Sequence, residues 1–222
     1  MFIGITQRLI EHDKYKETRE CLALDWGELF AKSEDFADFV PLPLSYEIDF
    51  LKYARYLQGV IFSGGNDLSI FTKESANKDY TLSLKRDAYE SKIIEYCIDY
   101  GLPLLGICRG AQMIAHYFGA KFITSERHIA PHEAFCAQSR SLDKAQDKNK
   151  YDTYIVNSFH RYCIKKVFEP LIPLAIAKDD TIEAYRHAQK PIFGIMWHIE
   201  RDMGLNDKTI LSQWLQAIKD GK

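Results

Sequence analysis

Leu104-Leu105-Gly106-Ile107-Cys108-Arg109-Gly110-Ala111-Gln112 reads as a strand that ends at a cysteine and turns at once into a helix. Pro103 opens the segment, Leu104 to Ile107 make a short apolar run suited to a parallel strand buried on both faces, and Met113-Ile114-Ala115 begin the apolar stripe of a helix. Cys108 stands at the join. A thiol there meets the positive end of the helix dipole and backbone N–H groups without partners, which favours the thiolate. Gly106 and Gly110 keep the tight turn free of side chains, as a nucleophile elbow requires.

Outward from this turn, strand-like segments at residues 2–5, 39–42, 60–62 and 192–196 join 104–107, with helical patterns at 18–31, 84–100, 110–118 and 208–218. The alternation predicts an α/β fold, a mostly parallel twisted sheet flanked by helices on both faces. Ligands of such open sheets lie outside the carboxyl ends of the strands. Thr6-Gln7-Arg8, Ser63-Gly64-Gly65-Asn66-Asp67, Cys108-Arg109 and Trp197-His198 each follow directly on a predicted strand, so one rim should gather them. The polar stretch 143–152 reads as a solvated loop inside one domain covering residues 1–222.

The 222 residues, 46% of them hydrophobic, suffice for a full core. Lys and Arg number 29 against 31 Asp and Glu, a net charge of −2, so nothing points to nucleic acid or an anionic membrane and a small-molecule substrate is expected. No run nears the roughly 18 apolar residues that span a bilayer. Met1-Phe2-Ile3-Gly4-Ile5 lacks the basic flank of a leader, so a cytoplasmic protein is expected. Cys21, Cys97, Cys108, Cys136 and Cys163 are scattered and form no C-x-x-C pair, which argues for reduced thiols and against a disulfide framework or zinc ribbon.

Three further segments complete the chemistry. Ser63-Gly64-Gly65-Asn66-Asp67 offers bare backbone N–H groups after a strand, and Val156-Asn157-Ser158-Phe159-His160 ends another strand in polar groups. Phe193-Gly194-Ile195-Met196-Trp197-His198-Ile199-Glu200 sets a His two residues before a Glu just past a buried strand, where a carboxylate can hold the imidazole's tautomer.

Together with Thr181-Ile182-Glu183-Ala184 and the helix opening at Lys85-Arg86-Asp87 and Glu90, these motifs resemble the class I glutamine amidotransferase-like superfamily, and within it the free-standing γ-glutamyl hydrolases of the peptidase C26 type. The resemblance covers nearly the whole chain. It implies a flavodoxin-like sheet, a cysteine-dependent hydrolase without a cofactor, and a Cys-His-Glu triad of Cys108, His198 and Glu200. Most relatives have Pro where this chain has Ile199, which relaxes the turn and leaves the orientation of Glu200 less constrained. Arg161-Tyr162 also departs from the family pattern, next to the expected substrate pocket.

On this reading the Cys108 thiolate attacks the side-chain carbonyl of a γ-glutamyl amide, His198 protonates the departing nitrogen, and water hydrolyses the thioester. The backbone N–H groups of Gly65 and Arg109 are the natural oxyanion donors. By resemblance Gln112 and the backbone around Asn157, Ser158 and Phe159 hold the glutamyl α-amino and α-carboxylate groups, with His160 lining the pocket. Arg8, directly after a strand, has the best claim on an anionic part of the substrate. The whole chain is also similar to bacterial hydrolases that free a nucleoside diphosphoramidate from its γ-glutamyl conjugate. A nucleotide amidate, a polyamine and γ-aminobutyrate remain open as leaving groups. A glutaminase subunit feeding ammonia to a partner synthase, and a non-catalytic thiol sensor or binding module, are the competing functions.

Other residues have plainer accounts. Cys21, Cys97, Cys136 and Cys163 are expected to pack. His128, His132 and Cys136 are spaced by four, but Pro131 interrupts any helix that would align them, so no metal is expected and a substrate-side loop is the better reading. His116 is expected to be structural and Trp26 to lie in the core. Arg86 and Arg109 are expected to be solvated or paired with Asp87 or Glu90.

Overall fold

The computed structural model describes residues 1–12, 14–72, 78–137 and 151–221. β1 (Phe2–Thr6) leads into a hairpin of β2 (Arg8–Glu11) and β3 (Thr18–Cys21), then α1 (Leu24–Lys32), β4 (Val40–Leu44), the single turn α2 (Leu51–Ala54) and β5 (Leu57–Phe62). A second single turn, α3 (Ser69–Thr72), precedes the long α4 (Lys78–Tyr100), β6 (Leu104–Ile107) and α5 (Arg109–Tyr117). Strands then dominate: β7 (Lys121–Thr124), β8 (His132–Ala137), β9 (Tyr151–Val156), β10 (Tyr162–Lys166), β11 (Leu171–Ala177), β12 (Ile182–His187) and β13 (Ile192–Ile195), followed by α6 (Thr209–Asp220).

The large sheet runs β4-β1-β5-β6-β13-β12-β11-β8-β9, with β10 beside β12 and β7 beside β10. Its first five strands pair in parallel. The rest pair antiparallel and form a wing on the far side of β13.

Side-chain alternation builds three layers, as a parallel sheet requires. Ile61, Leu105 and Ile107 join Trp26, Leu29 and Phe30 of α1 and Ile210, Leu211, Trp214 and Leu215 of α6. Val60, Phe62 and Leu104 point the other way, onto Leu82, Ile93 and Cys97 of α4 and Met113 and Ile114 of α5. The α/β fold with helices on both faces is therefore as expected, and Trp26 lies in the core. No helix among the described residues is long and apolar enough to cross a membrane.

Two expectations need correction. The helix expected over 18–31 begins only at Leu24. Thr18 to Cys21 pair as a strand with β2, which Asn66 ties down through Leu9 N–H (3.0 Å) and Leu9 C=O (2.9 Å). Tertiary pairing overrides a helical stripe that Trp26, Leu29 and Phe30 supply on their own. Of the solvated loop expected at 143–152, residues 143–150 lie outside the described residues, and Tyr151 and Asp152 open β9.

Register positions the site. Gly106 pairs with Gly194 and with Phe62, so the strands β5, β6 and β13 end level and deliver Ser63, Cys108 and the Met196-Trp197-His198 segment to one rim.

Candidate active site

Cys108 caps α5 with φ 51° and ψ −106°, a conformation an L residue keeps only when its surroundings impose it. Its N–H donates to Ile195 O at 2.8 Å and its carbonyl accepts from Gln112 N at 3.0 Å. The turn has no room for more: a Cβ on Gly106 would lie 2.6 Å from Ala111 N, and one on Gly110 2.2 Å from Phe62 O. The elbow expected from the two glycines is thus steric in origin. Arg109 and Gly110 begin α5, where N–H groups have no intrahelical acceptor.

His198 follows β13 and turns its ring toward Cys108. Its Nδ1 lies 2.7 Å from Glu200 Oε1, and the two side chains are 4% and 3% exposed. Burial opposes charge on the imidazole, but the Cys108 thiolate and Glu200 outweigh it and raise His198 to about 9. Burial likewise raises the Cys108 thiol, and its charge interaction and hydrogen bond with His198 reverse this, leaving the thiol below its ordinary value. Ile199, in the place of the family's Pro, is 1% exposed and packs in the core with Ile195 and Trp197. With Ile199 at this position, His198 Nδ1 still lies within hydrogen-bond distance of Glu200.

The loop after β5 comes up beside the thiol. A Cβ on Gly64 would meet His198 Cε1 at 2.8 Å and Cys108 Cβ at 3.7 Å, and Gly65 adopts φ +80° under the Arg8 side chain. Behind the loop lies Arg86, fully buried and paired with Glu90, one of the two partners expected for it, so only the solvated alternative is excluded. It donates to the carbonyls of Ser63 (3.2 Å), Gly64 (3.3 Å) and Gly65 (2.7 Å), to Asn66 Oδ1 (3.2 Å) and to Glu90 (3.1 Å). Glu90 in turn pairs with Arg109, which also pairs with Asp87. The loop and the elbow are therefore joined through a buried ionic chain. Its signal in the sequence was that Arg86 and Glu90 fall on the same helix stripe as Leu82, Ile93 and Cys97, where charges have no reason to be unless paired.

A cavity of about 510 Å³ opens on Cys108, lined among others by Arg8, Gln112, Phe159, His160 and Arg161. Four of the expected pocket residues are therefore present. Gln112 is anchored by its Nε2 to Tyr162 O (2.7 Å). Phe159 is half exposed, edge-on to His198 with ring centroids 5.7 Å apart. Arg8 also lines a smaller cavity of about 210 Å³ on the other side of Gly64 and Gly65, reaching His198 and Glu200.

The side chains of Asn157 and Ser158 are engaged within the protein. Asn157 accepts from His198 N (2.8 Å) and donates to His198 O (2.9 Å) and Asp202 O (2.8 Å), so its side chain holds the histidine loop instead of a ligand. Ser158 Oγ donates to His128 O at 2.5 Å, away from the cavity.

All five cysteines are free thiols. Cys136, from the expected packing set, donates to Asp207 at 3.3 Å. Cys163 lies 3.7 Å from His160 Nδ1, a neighbour that linear spacing did not reveal.

The Peptidase C26 profile matches residues 2–200. The chain is 52% identical over 220 residues to the gamma-glutamyl-CDP-amidate hydrolase of Campylobacter jejuni subsp. jejuni serotype O:2, covering 99% of this chain and 100% of that one. Among solved structures, a GMP synthase component from Thermoplasma acidophilum superposes with a TM-score of 0.68 at 18% identity, over 99% of this chain and 94% of the other. A glutamine amidotransferase of Thermotoga maritima gives a TM-score of 0.62 at 15% identity, over 99% and 82%. These two share the fold. With its profile match and its full-length relative, the chain belongs to the peptidase C26 family.

Proposed function

We propose that the protein hydrolyses the γ-glutamyl amide bond of γ-glutamyl-CDP-amidate through a Cys108-His198-Glu200 triad, releasing glutamate and cytidine diphosphoramidate. The observation that carries the chemistry is His198 held between Cys108 and Glu200, with Nδ1 2.7 Å from the carboxylate and the ring facing the thiol. The full-length likeness to the C. jejuni hydrolase supports this leaving group.

The Cys108 sulfur adds to the δ-carbonyl carbon, and the oxygen takes up negative charge against the N–H groups of Gly65 and Arg109. Collapse of the tetrahedral adduct breaks the C–N bond as His198 gives its proton to the leaving nitrogen, and a thioester remains. His198, now neutral, takes a proton from water, hydroxide adds to the thioester, and glutamate leaves as the thiolate reforms. Glu200 keeps the ring in one tautomer and stabilises its cation. Gln112 and His160 border the acyl side of the cavity, and Arg8 and Arg161 offer their guanidinium groups to a diphosphate.

The test is glutamate release from γ-glutamyl-CDP-amidate, glutamine, γ-glutamyl-γ-aminobutyrate and γ-glutamyl-putrescine. The nucleotide conjugate should have the highest kcat/KM, and Cys108→Ala should abolish turnover. Glutamine as the sole good substrate would overturn the reading in favour of a glutaminase that feeds a partner synthase. Full activity in the Cys108→Ala protein would remove the triad.

A further inference from the structure

Beside His160, whose ring lies 5.0 Å from that of His128, the fold gathers groups the hydrolysis does not use. His128 comes from the short 3-10 turn Glu126–Ile129, His132 from the start of β8, and Glu183 from β12. Glu183 is 1% exposed and His128 2%. Glu183 Oε1 lies 3.2 Å from His128 Nδ1 and 3.5 Å from His132 Nε2, while Oε2 lies 3.9 Å from His160 Nε2.

These contacts are not hydrogen bonds. Both Glu183 oxygens, His128 Nδ1, His132 Nε2 and His160 Nε2 are buried and make none. The outward nitrogens, by contrast, have partners: His128 Nε2 meets Asp179 Oδ2 at 3.1 Å and Thr181 Oγ1 at 3.2 Å, and His132 Nδ1 meets Ala130 O at 3.4 Å. A carboxylate and a backbone carbonyl beside the outer nitrogens favour the tautomer that carries its proton there and leaves lone pairs on the inner ones. Asp179 is itself fixed by Thr181, through Oγ1 at 2.7 Å and N–H at 3.2 Å. This carboxylate–imidazole pairing is how proteins orient a metal-binding histidine.

We propose that His128 Nδ1, His132 Nε2 and Glu183 bind a divalent transition-metal ion, zinc(II) in first place. Two imidazoles and a carboxylate are a donor set that zinc takes readily. Ligand atoms at about 2.1 Å around a tetrahedral zinc stand about 3.4 Å apart, between the two distances measured from Glu183 Oε1. All three ligand atoms lie within 4.8 Å of one another. His132, with its side chain 16% exposed, gives the ion a way in.

The ion would cross-link the 126–129 turn, β8 and β12. His128 O accepts from His160 N (3.1 Å) and from Ser158 Oγ (2.5 Å), so the segment leading to His160 hangs from a metal ligand. The metal is thus a clamp on the cavity wall, and the chemistry at Cys108 runs without it.

The full chain, produced in zinc-supplemented medium and desalted, should carry roughly one zinc per chain by mass-spectrometric elemental analysis. A chelator should remove the metal and lower Tm, and added zinc should restore it. Cobalt(II) should give a visible d–d band without a thiolate charge-transfer band. Glu183→Gln and His132→Gln should lose the metal, the partly exposed His132 serving if the Glu183 variant does not fold, and Cys108→Ser and Cys163→Ser should keep it. The proposal falls if the purified protein holds no metal and Tm does not respond to zinc, cobalt, nickel or manganese. It falls equally if either cysteine variant loses the ion, since the ligand set would then be another one.

Discussion

Arg86 Nη1 donates to the carbonyl oxygen of Gly65 at 2.7 Å, and the same guanidinium reaches the carbonyls of Ser63 and Gly64. A guanidinium has donors only, so it draws the carbonyls of this loop toward α4. In a planar trans peptide the amide points opposite to its carbonyl, so pulling Gly64 O toward Arg86 turns the Gly65 N–H away from α4. On the proposed mechanism Arg86 therefore aims an oxyanion donor from behind.

Arg86→Met should lower kcat by on the order of 10²-fold, the scale of losing one oxyanion donor, with a smaller change in KM. It should also lower Tm, because Glu90 loses one of its two buried partners. Arg86→Lys restores a charge beside Glu90 without the fork that reaches several carbonyls. It should recover much of the stability and little of the rate. Equal recovery of both, by steady-state kinetics and thermal unfolding, would refute the aiming role.

Cys108 and His198 should titrate as an ion pair. Iodoacetamide inactivation of the wild type should stay fast as the pH falls below the ordinary thiol range, since His198 lowers the thiol. His198→Asn removes the main opponent of burial, leaving only the weaker pull of His160, and should move the inflection upward. The alkaline limb of kcat/KM should lie near pH 9, where His198 loses its proton.

The same pair links pH to stability. His198 is raised from 6.5 to about 9, so its contribution is complete below about pH 6.5 and is lost as the pH rises through 9. The difference in unfolding free energy between wild type and His198→Asn should shrink between about pH 6 and about pH 10. A constant difference across that range would show that the folded protein does not raise the imidazole.

Asn157→Ala removes three hydrogen bonds to the backbone of the His198 loop. Stability should fall by about 1–3 kcal/mol, and kcat should fall while KM holds. A rise in KM alone would show that the Asn157 side chain acts on substrate and not on the His198 loop.

Gly64→Ala places a methyl 2.8 Å from His198 Cε1. The ring must move off Cys108 to accept it. Turnover should drop by about tenfold or more while Tm changes little, because the strain falls on a side chain at the rim and not on the core.

Much of this molecule was legible before folding. A strand buried on both faces is a short apolar run, and 104–107 and 192–196 can be read that way because neighbours cover them from above and below. The rim followed, since chain direction in a parallel sheet sends Ser63, Cys108 and His198 to the same end. The antiparallel wing was not legible. β7, with only one half-buried residue, and β11, which holds Pro173, carry no clear period of their own, and their place comes from partners distant in sequence.

Sequence alone determined a cysteine at a strand-to-helix turn and a histidine and a glutamate two residues apart after another buried strand. Those are local features, set by steric space and by the two-residue spacing after a strand. Only the tertiary structure decided that Arg86 binds the loop after β5, that Asn157 holds the backbone of His198, and that His128, His132 and Glu183 converge. Each of these depends on buried polar groups finding partners from elements far apart in the chain, because a buried charge or donor must be satisfied by whatever the fold brings to it.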